Sequence, residues 1–168
     1  MKIYTYGNPI LRKKAKRIKN IDKALLETID SMFRTMEESS PKGVGLAATQ
    51  VGLNIALFVY KLDDDEGVVI NPEIIDRSGS EIGEEGCLSV PGIYAPIERA
   101  EKVIVRGIDG KGNRVKYEVT GLKARVFQHE TDHLNGILFT DYVDSIDNLY
   151  VEEGHEVPEE LIEKILEK

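Results

Sequence analysis

The segment Gln128-His129-Glu130-Thr131-Asp132-His133 constrains this chain most, because two of its three histidines stand four residues apart with a glutamate between them. On a helix that spacing puts both imidazoles on one face, where they can close on a single metal ion. Glu130 then sits beside them, placed to exchange a proton with a water on that metal, which is a hydrolase signature. Thr120 is a plausible N-cap for this helix and Asn135-Gly136 its stop. Leu122, Val126, His129 and His133 follow at intervals of four, three and four, so the metal-facing side should be walled by apolar side chains.

Other elements follow from hydrophobic spacing. Ile21, Ala24, Leu25, Ile29, Met32, Phe33 and Met36 predict an amphipathic helix over 22–38, ended by Ser39-Ser40-Pro41-Lys42-Gly43. Ile55 to Tyr60 and Val68 to Ile70 read as short buried strands. Val103 to Val105 and Val115 to Val119 flank Asp109-Gly110-Lys111-Gly112-Asn113, turn chemistry for an antiparallel hairpin. Pro158 suits the first position of a last helix carrying Leu161, Ile162, Ile165 and Leu166. Strands and helices without regular alternation predict an α+β fold. Antiparallel or mixed sheets would pack around the histidine helix, with one helix towards each end of the chain.

Composition narrows the class. With 168 residues, 41% hydrophobic and 31% charged, the chain reads as one globular domain over 1–168. No apolar run reaches the roughly 18 residues a membrane span needs, and the first residues lack the apolar core of a signal peptide. With a single cysteine, no intramolecular disulfide is possible, and a reducing, cytoplasmic location is expected. The net charge of -8 argues against DNA or broad nucleic-acid binding.

Two histidines need a further donor, because catalytic zinc-type sites keep three protein ligands and one open position. Glu153 lies 20 residues after His133, a spacing like that of thermolysin-type proteases, although its acidic surroundings read as solvated surface. A third histidine of the metzincin kind fails, since Phe139 stands where it belongs. Cys87 is the other candidate. A lone cysteine is usually a small buried hydrophobe. Here Gly86 lets backbone or ligand approach, and the acidic flank does not look like a packed strand. If Cys87 is the ligand, the N–H of Leu88 lies close to the metal, well placed for a developing oxyanion.

Gly43-Val44-Gly45-Leu46-Ala47-Ala48-Thr49-Gln50 satisfies a dinucleotide-binding pattern, but a helix rather than a strand precedes it. The alternative is a loop whose backbone pairs with an extended peptide. Gln50 then offers a neutral donor towards a reacting carbonyl, against the simpler reading of a buried structural glutamine.

Together these three segments resemble the peptide deformylases. Gly43 to Gln50 is similar to that family's G-x-G-x-A-A-x-Q motif, Glu85-Gly86-Cys87-Leu88-Ser89 to E-G-C-L-S, and Gln128 to His133 to Q-H-E-x-D-H. The resemblance runs from Gly7-Asn8-Pro9 to Asp141-Tyr142 and points to the shorter bacterial form with a C-terminal helix. It implies a metal-dependent hydrolase that removes the formyl group from N-formylmethionyl nascent peptides and releases formate. Cys87, His129 and His133 would hold one divalent ion, natively Fe2+, with Ni2+, Co2+ or Zn2+ as replacements. Glu130 would be the general base, and Gln50 with Leu88 would stabilise the oxyanion. Val44, Gly45 and Gly86 would hold the peptide backbone, Leu122 and Val126 would line the methionine pocket, and Glu85 and Asp132 would support the ligating histidines.

Members of that family can dock on the ribosome through a basic C-terminal helix. Here Glu159, Glu160, Glu163 and Glu167 outnumber Lys164 and Lys168. Any ribosome contact would fall instead to Arg12, Lys13, Lys14, Lys16, Arg17 and Lys19.

Overall fold

A computed structural model describes residues 1–168. It holds three α-helices, α1 (Lys23–Glu38), α2 (Gly121–Leu134) and α3 (Glu159–Leu166), and two antiparallel sheets. The larger sheet has the order β1-β2-β3-β6-β7, built from β1 (Gly45–Ala47), β2 (Leu57–Leu62), β3 (Asp65–Ser78), β6 (Lys102–Ile108) and β7 (Arg114–Thr120). The smaller has the order β4-β5-β8, from β4 (Glu81–Cys87), β5 (Val90–Arg99) and β8 (Tyr150–Val151). The fold is α+β.

Strand β2 is covered on both faces, which explains its unbroken apolar run. Phe58 and Tyr60 turn towards α2, where Phe127 meets them with ring centroids 5.2 and 5.0 Å away. Leu57 and Val59 turn the other way, onto Ile29, Met32 and Met36 of α1. A strand buried on both faces has no polar alternation to show. Helix α1 starts where Asp22 accepts a hydrogen bond from Leu25 N at 2.8 Å, an N-cap that satisfies one of the helix's free donors.

Three elements differ from the sequence reading. The strand expected at Val68 to Ile70 is the middle of the 14-residue β3, which continues through a bulge at Asn71-Pro72. Asn71 adopts φ 52 and fastens its side chain to both the N–H and the C=O of Ile18, at 2.8 Å each. Asparagine tolerates the left-handed region, so a residue that reads as a strand end is a kink inside one. Second, the acidic flank of Cys87 is a strand. Its glycines are places where other side chains lie: a Cβ on Gly83 would meet the Arg125 guanidinium at 3.0 Å, and one on Gly86 would collide with the Tyr94 ring. Third, Gly45 to Ala47 is not a loop but β1, at the edge of the larger sheet, paired on one side with β2.

The smaller sheet packs its inner face, Val90, Ile93, Ala95 and Ile97, against Phe139, Val143 and the buried Leu161 and Ile165 of α3. Pro158 caps α3, one position before the helix proper. Helix α2 lies between the two sheets, and ten of its side chains from Ala124 to Leu134 are buried.

Candidate metal centre and active site

Helix α2 is buried almost all round, so its polar residues must find partners inside the protein. Gln128 fastens its middle: its Oε1 accepts from Ala100 N at 3.0 Å and its Nε2 donates to Ala100 O at 2.9 Å. One residue on, His129 faces the smaller sheet and stacks on Phe139, with centroids 6.1 Å apart. His133 lies one turn further, 5.0 Å from His129 between ring centroids.

The third member comes from the smaller sheet. Cys87 ends β4 at a register shift, where the tight connection to β5 turns its sulfur towards α2. His133 Nε2 lies 3.3 Å from Cys87 Sγ, and the ligand atoms of Cys87, His129 and His133 all fall within 4.8 Å of one another. Glu153, the competing candidate, is exposed in the turn after β8 and belongs to no such group.

The donor set fits a metal. Cys87 Sγ accepts from Gln50 Nε2 at 3.4 Å and from Ser89 N at 3.4 Å, contacts that hold the sulfur in place facing α2. His129 Nδ1 is taken by Glu85 Oε1 at 2.7 Å, which leaves Nε2 as the ring nitrogen available to a metal. Two buried polar atoms beside the group, His133 Nδ1 and Glu130 Oε1, have no hydrogen-bond partner. Burial works against a charged His129, but Cys87 and Glu85 outweigh it and raise its pKa well above the ordinary range. Burial, aided by His129 and Arg99, lowers His133 well below it.

Glu130 is 4% exposed. Burial, opposed by His129 and Arg99 but reinforced by the Glu85 and Asp132 charges, pushes its carboxyl up to about 7, close to neutrality. Gly45 of β1 passes directly over it: a Cβ there would stand 2.5 Å from Glu130 Oε2. Gln50 follows in the 3-10 turn after β1. Its Oε1 accepts from Ala47 N at 3.0 Å, which orients its Nε2 towards Cys87 and Ser89 Oγ.

These groups open onto a cavity of about 260 Å³. Val44, Gly45, Gly86, Leu88, Leu122 and Val126 all line it, as do Gln50, Glu85, Cys87, His129 and Glu130. Asp132 stands further out than the sequence reading has it. It reaches neither imidazole, and instead accepts from Arg99 Nη1 at 2.6 Å and from the Tyr142 hydroxyl at 2.7 Å.

Sequence reasoning missed the two arginines that hold Glu85. Arg99 grips both carboxylate oxygens, at 2.8 and 2.9 Å, and Arg125 Nη1 donates to Oε2 at 2.7 Å. Burial alone would raise Glu85, yet Arg99 and His129 hold it down to about 2. A signal existed for both residues. Ile93, Ala95 and Ile97 alternate inward along β5 and Arg99 takes the next inward position, while Arg125 precedes His129 by one helical turn.

The comparisons with known proteins agree with this geometry. Residues 1–149 match the family model for polypeptide deformylase. The chain belongs to the peptide deformylase family. The peptide deformylase of Halothermothrix orenii is 48% identical over 145 residues, 85% of this chain and 93% of that protein. Among solved structures, the Synechococcus elongatus peptide deformylase in complex with actinonin matches with a TM-score of 0.84 and 42% identity, covering 88% of this chain and 82% of that one. The Thermotoga maritima enzyme matches with a TM-score of 0.81 and 43% identity, over 86% and 97%. The chain is therefore a metal-dependent hydrolase that removes the N-formyl group from nascent peptides. No helix is long and apolar enough to cross a membrane.

Proposed function

We propose that the formyl group is hydrolysed at the cluster of Cys87, His129, His133 and Glu130, by the whole chain, 1–168, acting as one catalytic domain. One observation carries this: three ligand atoms within 4.8 Å of one another beside Glu130 Oε1, a buried oxygen with no partner. The mixed thiolate and imidazole set suits a first-row divalent ion, and we take Fe2+ as native, with Ni2+, Co2+ or Zn2+ able to replace it. Once bound, such an ion supplies Lewis acidity that brings the pKa of a bound water down to about 7.

The chain's own residues do the rest. Glu130 takes a proton from the attacking water and returns it to the amine as the C–N bond breaks, so that formate and a free N-terminus leave. Gln50 Nε2 and the Leu88 N–H donate to the oxygen that becomes negative on the formyl carbon. The free edge of β1 at Gly45, with Val44 just before it, pairs with the extended peptide as an added strand, with Gly86 on the opposite wall. Leu122 and Val126 flank the methionine side chain, while Glu85 fixes His129 directly and Asp132 acts on it only through Arg99.

The cytoplasm is the location we infer, since Cys87 must stay reduced to serve. Contact with the ribosome would run through Lys13, Lys14, Lys16, Arg17 and Lys19, exposed residues free of ion pairs, because Arg12 is engaged by Asp141 and α3 turns its glutamates outward. Neutralising those five should then weaken and flatten a salt-dependent ribosome affinity; an unchanged affinity would dispose of that contact.

Metal affinity tests the ligand assignment. Cys87→Ala should abolish tight binding of Co2+ or Zn2+ while Glu153→Ala leaves it intact, and the reverse pattern would overturn the assignment.

A further inference from the structure

The ligands come from two separate parts of the fold. His129 and His133 ride on α2, which packs on the larger sheet, whereas Cys87 ends β4 of the smaller sheet. Coordination by all three depends on the spacing between β4 and α2. Something must fix it.

Arg125 spans that boundary. It lies on α2 one turn before His129 and two before His133, on the cavity wall. Its Nη2 donates to Glu81 O at 2.8 Å, and its Nη1 donates to Glu85 Oε2 at 2.7 Å and Ile97 O at 2.8 Å. A longer contact of 3.4 Å reaches Gly83 O. One side chain on the helix thus ties to β4 at three alternate residues and to β5 at one. The next inward residue of β4 after Glu85 is Cys87. Gly83 makes the crossing possible, since a Cβ there would stand 3.0 Å from Arg125 Cζ and Nε.

A guanidinium is an expensive way to fill a buried position, because its desolvation offsets much of what its ion pair gains. An apolar side chain at 125 would hold the two elements together less specifically: dispersion contacts do not set a register, whereas a planar fork with several fixed acceptors does.

We propose that Arg125 is a positioning residue for the metal centre: it locks β4 against α2 so that the Cys87 sulfur stays within coordinating reach of both imidazoles. The proposal rests on Cys87, His129 and His133 being the ligands. Arg99 makes the complementary tie at the other end, from β5 to Asp132, but faces away from the substrate cavity.

The test measures Co2+ affinity of the purified full chain by competition with a chromophoric chelator, alongside thermal unfolding of the metal-free protein. Arg125→Met should weaken Co2+ binding by about 10–100-fold, the range typical of residues that support metal ligands. Arg12→Met, which removes a partly exposed ion pair to Asp141, should leave that affinity unchanged. Gly83→Ala keeps every charge but pushes on the guanidinium, and should weaken binding in the same direction. Added to Arg125→Met it should cost nothing more, since the two would act through one contact.

Full wild-type affinity in a folded Arg125→Met variant would overturn the proposal, as would additive effects of the two substitutions. Complete rescue by Arg125→Lys would also overturn it, because charge alone would then suffice. Where Arg125→Met fails to fold, Gly83→Ala decides: unchanged affinity contradicts the brace. Wild-type protein that binds no Co2+ would instead refute the ligand assignment beneath it.

Discussion

Glu85 Oε1 lies 2.7 Å from His129 Nδ1, and the same carboxylate is gripped on its other side by Arg99 and Arg125. A metal-bound imidazole needs an acceptor behind it to fix its tautomer and orientation. The acceptor here is held by two buried arginines, so it stays ionised and in place.

That arrangement has a pH signature in the metal-free protein. Glu85 is held down from the usual 4.5 to about 2, so its contribution to stability is present above about pH 4.5 and is lost as pH falls towards 2. The gap is worth roughly 3 kcal/mol. Urea unfolding between pH 7 and 2.5 should show wild type losing stability over that window, with Glu85→Gln less stable at neutral pH but flatter in acid. Parallel curves for the two proteins would contradict the account.

Gly45 has no room for a side chain. Its missing Cβ would stand 2.5 Å from Glu130 Oε2 and 3.0 Å from Cγ and Cδ, so Gly45→Ala must displace either Glu130, the proposed general base, or the edge strand β1, the proposed peptide seat. Metal content should be unchanged and kcat should fall by about 10²-fold or more, the usual cost of misplacing such a base. Normal turnover in that variant would show that Glu130 has more freedom than the packing allows.

Gln50 is oriented by its acceptor end, through Ala47 N at 3.0 Å. Gln50→Glu keeps that bond and replaces the donor facing Cys87 with an acceptor. If Gln50 is the oxyanion donor proposed above, steady-state kinetics should show kcat reduced by about 10²–10³-fold, with KM changed far less. A change confined to KM would reassign Gln50 to substrate binding.

Much of the site was legible in the sequence because its chemistry is local. His129, Glu130 and His133 share one helix, and both Cys87-Leu88 and Gly45 to Gln50 are short runs, so spacing alone suggests what each can do. What spacing does not reveal is how distant segments hold one another. Arg99 and Arg125 converge on Glu85 only after β4, β5 and α2 have assembled. The same limit hid β4 itself. Its two glycines and three glutamates look unlike a strand because the space at Gly83 and Gly86 is filled by Arg125 and Tyr94 from elsewhere. Helix α1, with its Asp22 cap and single apolar stripe, is specified locally and was legible within a residue.

The most direct test of the account is formate release from a formyl-methionyl peptide, with metal content measured on the same samples, for wild type and Glu130→Gln loaded with one divalent metal under anaerobic conditions. Wild type should release formate stoichiometrically with substrate consumed, and Glu130→Gln should retain its metal while turnover falls by about 10²–10⁴-fold. Comparable turnover in the two proteins, or a metal-loaded wild type that leaves the formyl group in place, would contradict the assignment of this cluster as the deformylating centre.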